Sequence, residues 1–398
     1  MEKLTIKDIE IKGKRILTRV DYNVPIESGL VVSDVRIKAS LPTLEYILGQ
    51  GGRLILMSHL GRPKGERIPE MSLRPCAHTL GKFLGKEVVF IDDCIGESVL
   101  VAVQKLKEGE ILLLENLRYY KEETENDKMF AEKLAALGDI YVNDAFGTAH
   151  RAHASTEGIT HCMGKCVAGF LLKKELDYLG RVVENAKKPF VTIIGGAKIS
   201  DKISVISNML PKVEKLIIGG GMAFTFLKAL GHEIGNSLCE QDKVKLAKDI
   251  LKTGGDKIEL PVDCVISDFL DFNKRKIGNI KEINIGEIPQ GWMGLDIGQK
   301  SIKRFGLILE NAKTIVWNGP MGLFEIDETA KGTYAIANIL AKATQSGAIT
   351  IIGGGDLASA VNKAGVSDKV SHISTGGGAS LEFLEGKILP GVAALSDK

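Results

Sequence analysis

The sequence predicts an α/β protein with two domains, each built on a parallel, doubly wound sheet, joined by a long helix. Three observations carry this. Short β-rich runs alternate with longer amphipathic stretches almost from end to end. Several of those runs are continuously apolar. In the second half, glycine-rich turns follow one run after another.

In the first half the candidate strands are ILTRVDYNV, RLILMSHL, EVVFID, ILLLENL and IYVNDAF. In the second they are FVTIIGG, KLIIGGG, IELPVDCVI, TIVWNGP, ITIIGGG and SHIST. Unbroken apolar runs fit strands covered by helices on both faces. Repeated strand–helix–strand order argues for parallel sheets. About eleven strands is many for one twisted open sheet, and 398 residues fit two or three domains at about 150 each.

The join falls in LLKKELDYLGRVVENAKKP. Leu172, Leu176, Leu179, Val183 and Ala186 recur at helical spacing, and Pro189 then stops the helix. The expected division is residues 1–170, a connecting helix over 171–188, and a second domain from residue 189.

Bulk composition narrows the function. A net charge of +2 argues against a general binder of nucleic acid or anionic membrane. The N-terminus MEKLTIKDIE has no signal-peptide core, and no apolar run approaches the roughly 20 residues of a membrane span. Six scattered cysteines lack zinc-ribbon spacing and read as buried thiols of a cytoplasmic protein.

Four turns in the second half share one pattern: GGAKISDK from Gly195, GGGMAFTF from Gly219, GGGDLASA from Gly353 and GGGASLEF from Gly376. Glycine lets a ligand approach the backbone, and the following helix offers unpaired N–H groups and a positive dipole end, which suit phosphate. GxxxxGK[ST] is absent, and no GxGxxG follows a strand, which removes the dehydrogenase fingerprint. Lys198 and Lys202 are four apart, so a helix already begun there would set both on one face. Asp356 is expected to hold Mg²⁺ beside a phosphate, or to cap the next helix.

The first half carries basic residues just past its strands: Arg36, His59 and Arg62, Arg118, and His150, Arg151 and His153. Parallel sheets bind ligands beyond the carboxyl ends of their strands. A convergent set of Arg and His there suits a small phosphorylated acid. Asp21 and Asn23 follow the first strand and can take hydroxyl hydrogens from the same ligand. Two anion sites on two domains suggest phosphoryl transfer, with domain closure excluding water.

RVDYNVP, DVRIKASLPT, SHLGRP, LLLENLRYY, NDAFGTAHRAHAS, GGAKISDKI, GGGMAFTFL, WNGPMGLFE, GGGD and HISTGGGASLEFLEGK together resemble the phosphoglycerate kinase family, in order along the whole chain. The resemblance implies two Rossmann-like three-layer domains, the second over residues 189–387, with the C-terminal tail from about 388 to 398 returning to the first. It implies a monomer acting on small molecules: Mg²⁺-dependent, reversible phosphoryl transfer from 1,3-bisphosphoglycerate to ADP, giving 3-phosphoglycerate and ATP. A non-catalytic relative that binds the same ligands is the competing expectation.

Carried onto this sequence, the resemblance implies that Asp21, Tyr22 and Asn23 meet the glycerate. Arg36, His59, Leu60, Gly61, Arg62, Arg118 and Arg151 surround its phosphate and carboxylate. Arg36 and Lys198 flank the phosphoryl group in flight, and Gly376 and Gly377, with Gly378, aim a helix at it. Lys202 and Asn318 reach the nucleotide phosphates, Glu325 the ribose, and Asp356 the Mg²⁺. Gly219, Gly220, Gly221 and Gly294 shape the base pocket, and Gly354, Gly355 and Leu357 complete the phosphate turn. Leu357 departs from the Ser or Thr usual after GGGD. Its backbone N–H still donates, but loss of a hydroxyl is expected to weaken nucleotide binding by about 1–2 kcal/mol. Leu357→Ser is then expected to lower the KM for ADP.

Overall fold

The computed structural model describes residues 2–398, apart from the side chains at 181, 183 and 184. Val183 of the connecting helix therefore lies outside the described side chains. The chain separates into two compact units. Unit 1 is Met1–Asp177 with Ile388–Lys398, and unit 2 is Tyr178–Lys387.

Unit 1 is built on six parallel strands: β1 (Arg15–Val20), β2 (Arg53–Met57), β3 (Val89–Ile91), β4 (Ile111–Leu114), β5 (Ile140–Asp144) and β6 (Cys166–Ala168). Their order is β3-β4-β2-β1-β5-β6. The central strands are buried along nearly their whole length, which is why they read as unbroken apolar runs. The short β6 has no turn signal of its own and was not among the expected strands. The C-terminal tail belongs to this unit. Leu4 N donates to Ser396 O, and Asn143 Nδ2 to Gly391 O.

Unit 2 carries a second parallel sheet: β7 (Phe190–Ile194), β8 (Lys215–Ile218), β9 (Ile258–Glu259), β13 (Thr314–Asn318), β14 (Ile349–Gly353) and β15 (His372–Ile373). Its order is β9-β8-β7-β13-β14-β15. A separate antiparallel sheet holds β10 (Asp263–Ser267), β11 (Ile280–Asn284) and β12 (Met293–Ile297) in the order β11-β10-β12. This corrects the reading of IELPVDCVI as one strand. Pro261 interrupts it, leaving a two-residue edge strand and the start of a different sheet. Ile194 is in register with Ile218 and Asn318, and Asn318 with Gly353, so the glycine turns from Gly195, Gly219 and Gly353 begin at one level.

The unit boundary falls within the helix Phe170–Asn185. Its first N–H groups are held by the end of unit 1's sheet. Asp144 Oδ1 accepts from Leu171 N at 2.9 Å and Leu172 N at 3.2 Å, while Thr43 Oγ1 accepts from Phe170 N at 2.9 Å. Burial pushes the Asp144 carboxyl up to about 7, against these hydrogen bonds. Leu172 and Leu179 are buried and Leu176 partly so, as their spacing predicts. Four cysteines are buried and two partly so, and all six are free thiols.

Candidate functional site

In unit 1 the charged residues gather past the carboxyl ends of β1, β2, β4 and β5. Arg36 opens the helix Val35–Gly49, and its Nη1 donates to Asp21 Oδ1 at 3.1 Å and to Asn23 O at 3.0 Å. Asn23 Oδ1 accepts from Gly61 N at 2.9 Å. Arg118 Nη1 donates to Gly61 O at 2.8 Å. The turn at Gly61 is thus gripped from both sides. Gly61 has φ +63°, and a Cβ there would run into the Met71 sulfur.

Four further residues hold these groups and escaped the sequence reading. Asn116 Oδ1 accepts from Leu60 N and Arg118 N, and its Nδ2 donates to Leu60 O and Met71 O. Arg19, Glu123 and Ser155 form a buried network behind His59. Their only sequence signal is a charged residue inside a run predicted as a buried strand, which Arg19 supplies.

Electrostatics ties the set together. Burial, then Arg19, Arg118, Arg36 and His153, holds His59 well below the ordinary histidine range. Burial and neighbouring cations, led by Arg118 and Arg19, take His153 down to about 3. Arg118 is lowered to about 10 by burial and by Arg19 and Arg151. His59 and His153 are therefore neutral donors or acceptors, and the cations of the group are its arginines. Arg151 is half-buried, with its Nε against His150 Nε2 at 3.1 Å, and Arg62 is exposed.

Two expected contacts turn away. The Tyr22 ring is fully buried, with its hydroxyl 3.0 Å from Ser40 Oγ and its N–H on Ser58 Oγ. Leu60 is buried and both its backbone groups are held by Asn116. Each supports the site rather than facing a ligand.

Unit 2 uses backbone. The leading N–H groups of the first two glycine turns, expected to face a ligand, bond to neighbouring strand ends instead. Gly195 N donates to Asn318 O, Gly196 N to Pro320 O, Gly219 N to Ile194 O and Gly220 N to Met321 O. A Cβ on Gly195 would overlap Pro320 O, and one on Gly220 would lie 2.6 Å from Gly196 N. These glycines let three strand ends touch. The helices Gly355–Lys363 and Gly377–Leu384 are different. The first-turn donors of each have no carbonyl behind them, and a Cβ on Gly377 would lie 3.6 Å from Gly355 N. Two positive helix ends therefore share one spot.

The other nucleotide candidates surround this spot or line a small apolar cavity. Lys202 Nζ donates to Asn318 Oδ1 at 2.5 Å, and Asn318 Nδ2 donates to Gly353 O at 3.0 Å. Burial lowers the Lys202 ammonium, against the pull of Asp201, Glu385 and Asp356. The helix begins only at Ile203, so Lys198 and Lys202 do not share a helical face. Lys198 is exposed in the preceding turn. Gly220, Gly221, Gly294, Leu295, Phe224 and Met321 line the cavity, with the Phe224 ring directly on Gly294. Glu325 is half-buried beyond it, and Leu323 N donates to Leu295 O. Gly354, not Asp356, occupies the helix-cap position, and the Asp356 carboxylate is exposed in the first turn.

Leu357 is fully buried in the unit 2 core with Val361, Ile193 and Trp317. Its side chain is not in the phosphate turn at all. This corrects the expected gain from Leu357→Ser, which would instead leave a cavity.

The family model for phosphoglycerate kinase matches residues 6–387. The chain belongs to the phosphoglycerate kinase family. It is 54% identical to a phosphoglycerate kinase of Chloroherpeton thalassium over the whole of both chains. It is 56% identical to a chloroplastic phosphoglycerate kinase of Volvox carteri, over 98% of this chain and 84% of that one. The solved phosphoglycerate kinase of Coxiella burnetii superposes with a TM-score of 0.88 at 40% identity, covering 98% of each chain. The chain is a phosphotransferase with a carboxyl group as acceptor. It catalyses reversible phosphoryl transfer from 1,3-bisphosphoglycerate to ADP, giving 3-phosphoglycerate and ATP in glycolysis. No described helix is long and apolar enough to cross a membrane.

Proposed function

We propose that unit 1 binds the phosphoglycerate and unit 2 the nucleotide. One observation carries this reading. Arg36, His59, Arg118, Asp21 and Asn23 form a single bonded and electrostatically coupled group past the strand ends of one sheet, while unit 2 offers paired helix N-termini. In this reading Asp21 and Asn23 take the glycerate hydroxyl. Arg36, His59, Arg62, Arg118 and Arg151 hold its phosphate and carboxylate.

Lys202 and Asn318, already joined, orient the nucleotide phosphates, and the N–H groups of Gly355 to Leu357 cradle them. Glu325 takes the ribose hydroxyls, and the cavity beside Gly219, Gly220 and Gly294 takes the base. Asp356 fits Mg²⁺ as a single exposed carboxylate beside phosphate donors, an arrangement that suits this ion. Bound there, the ion would neutralise charge on the nucleotide phosphates.

The bond from phosphorus to the acyl oxygen breaks as the bond to a β-phosphate oxygen of ADP forms, and a carboxylate leaves. The attacking oxygen is already ionised, so no side chain acts as base. Arg36 and Lys198 flank the moving group and stabilise charge on its equatorial oxygens, aided by the helix end at Gly376 and Gly377. Closure of the two units on their ligands excludes water as a rival acceptor.

A cytoplasmic monomer that acts on small molecules and binds no nucleic acid fits the net charge of +2. ATP formation from 1,3-bisphosphoglycerate by wild type and Arg36→Ala tests the central assignment. A fall of about 100-fold or more in kcat is expected, and an unchanged kcat removes Arg36 from its role.

A further inference from the structure

Arg19 has no exposed surface, so it presents no face to a ligand. Each of its three guanidinium nitrogens is nevertheless directed at a partner. Nε donates to Ser155 Oγ at 2.8 Å, Nη1 to Val20 O at 2.5 Å, and Nη2 faces His59 Nδ1 at 3.1 Å. Behind it, Ser155 Oγ donates to Glu123 Oε1 at 2.6 Å, and Ser155 N donates to Glu123 Oε2 at 3.0 Å. Glu123 is also wholly buried and supplies the countercharge.

A guanidinium carries only donors. The nitrogen that Arg19 faces must therefore accept, which leaves the single ring proton of His59 on Nε2. We propose that Arg19 is a positioning residue for the phosphoryl-transfer reaction, fixing His59 as the neutral Nε2–H tautomer so that it offers phosphoglycerate one directed hydrogen bond instead of a titrating charge. This rests on the reading above in which His59 contacts the phosphoglycerate.

The surroundings favour the same state. Arg19 from β1, Arg36 from the helix after it, Arg118 from the turn after β4 and His153 from the loop after β5 all face the imidazole field. Asp21 pairs with Arg36, and Glu123 lies behind Ser155. Protonating His59 would put a hydrogen on Nδ1, break the Arg19 contact and add a cation to a group already rich in them. A neutral donor serves the anion without that repulsion, and its strength stays constant across the pH range in which a free histidine titrates.

The test uses the full-length protein with ¹⁵N-labelled histidine, with His59→Gln identifying the His59 signals. Long-range ¹H–¹⁵N spectra are expected to show protonated Nε2, bare Nδ1 and no titration between about pH 5.5 and 8.5. The lines should move when 3-phosphoglycerate is added. A ring carrying Nδ1–H, or titrating in that window, overturns the proposal. If the tautomer is as expected but the lines ignore 3-phosphoglycerate, His59 is no substrate contact, and the assigned donor role fails for that separate reason.

Arg19→Met is expected to let His59 mix tautomers and titrate. The KM for 3-phosphoglycerate should rise about tenfold, the scale of one hydrogen bond to an ionised group. It should also gain a dependence on pH near 6.5, while the KM for ATP stays put. A raised KM with an unchanged His59 spectrum overturns the mechanism. Should Arg19→Met fail to fold, Ser155→Ala loosens only the Nε end and gives the same spectroscopic readout at smaller amplitude.

Discussion

In the proposed reading the two units hold anions by opposite means. Unit 1 uses side chains, and its cations are tied to a carboxylate, a carbonyl, a hydroxyl and a neutral imidazole: Arg36 to Asp21, Arg118 to Gly61, Arg19 to Ser155 and His59. Unit 2 uses main chain, with two helix starts side by side and glycines that let strand ends touch. Cationic side chains clustered beneath a surface repel one another and lose water, so they need a bonded scaffold to stay in place. Helix ends carry their positive potential without any buried charge. The first design places charge with direction. The second tolerates little change in backbone shape.

The comparison breaks most sharply at Arg36. Arg36→Ala should lower kcat by about 100-fold or more, since it removes charge stabilisation made during transfer. A coupled ATP assay reads it, and a loss seen only in KM would reduce Arg36 to a binding residue.

Backbone shape is tested next. Gly195→Ala sets a methyl into Pro320 O, where neither strand end can yield. A loss of about 3 kcal/mol or more is expected in urea unfolding, confined to the transition of unit 2. A near-neutral result would mean that the glycine contact is loose.

Leu357→Ser should cost about 2–4 kcal/mol of stability by emptying a core position, without a lower KM for ADP. Improved ADP binding at unchanged stability would return residue 357 to the phosphate turn.

Each unit also buries an aspartate against a helix start where burial outweighs the hydrogen bonds it accepts. Asp144 serves the helix Phe170–Asn185, and Asp296 Oδ2 accepts from Gly332 N at 2.6 Å. Burial raises both to about 7. An aspartate whose folded value lies above its unfolded value favours the fold while protonated. The contribution of these two groups to stability should therefore fall as pH rises from about 4 to about 7, then level off, by a few kcal/mol at most. Asp144→Asn should flatten unit 1's share of that slope, and an unaltered slope would show Asp144 ionised throughout.

The smallest effect belongs to Asn318→Ala. Losing the partner of Lys202 should raise the KM for ADP by about tenfold and leave the KM for 1,3-bisphosphoglycerate unchanged.

Much of this protein was legible in the sequence because its signals are local. Continuous apolar runs such as ILLL and FVTII come from strands covered on both faces, and glycines mark strand ends whether they serve a ligand or a neighbouring strand. The positions of Arg36, Arg118 and Asp356 just past those strands needed no more than the order of the chain. Other features depend on partners far away in sequence. Gly195 owes its identity to Pro320, Arg19 its orientation to Ser155 and His59, and Asp144 its load to Leu171 and Thr43. Leu357 reads as a gap in a phosphate turn until its burial shows that it faces the core. Sequence alone determined the alternation of elements and the chemistry at their ends, because periodicity and turn residues act over a few positions. Only the tertiary structure decided which donors are free, which histidines are neutral and which glycines are steric, because those properties are set by whatever the fold packs against each group.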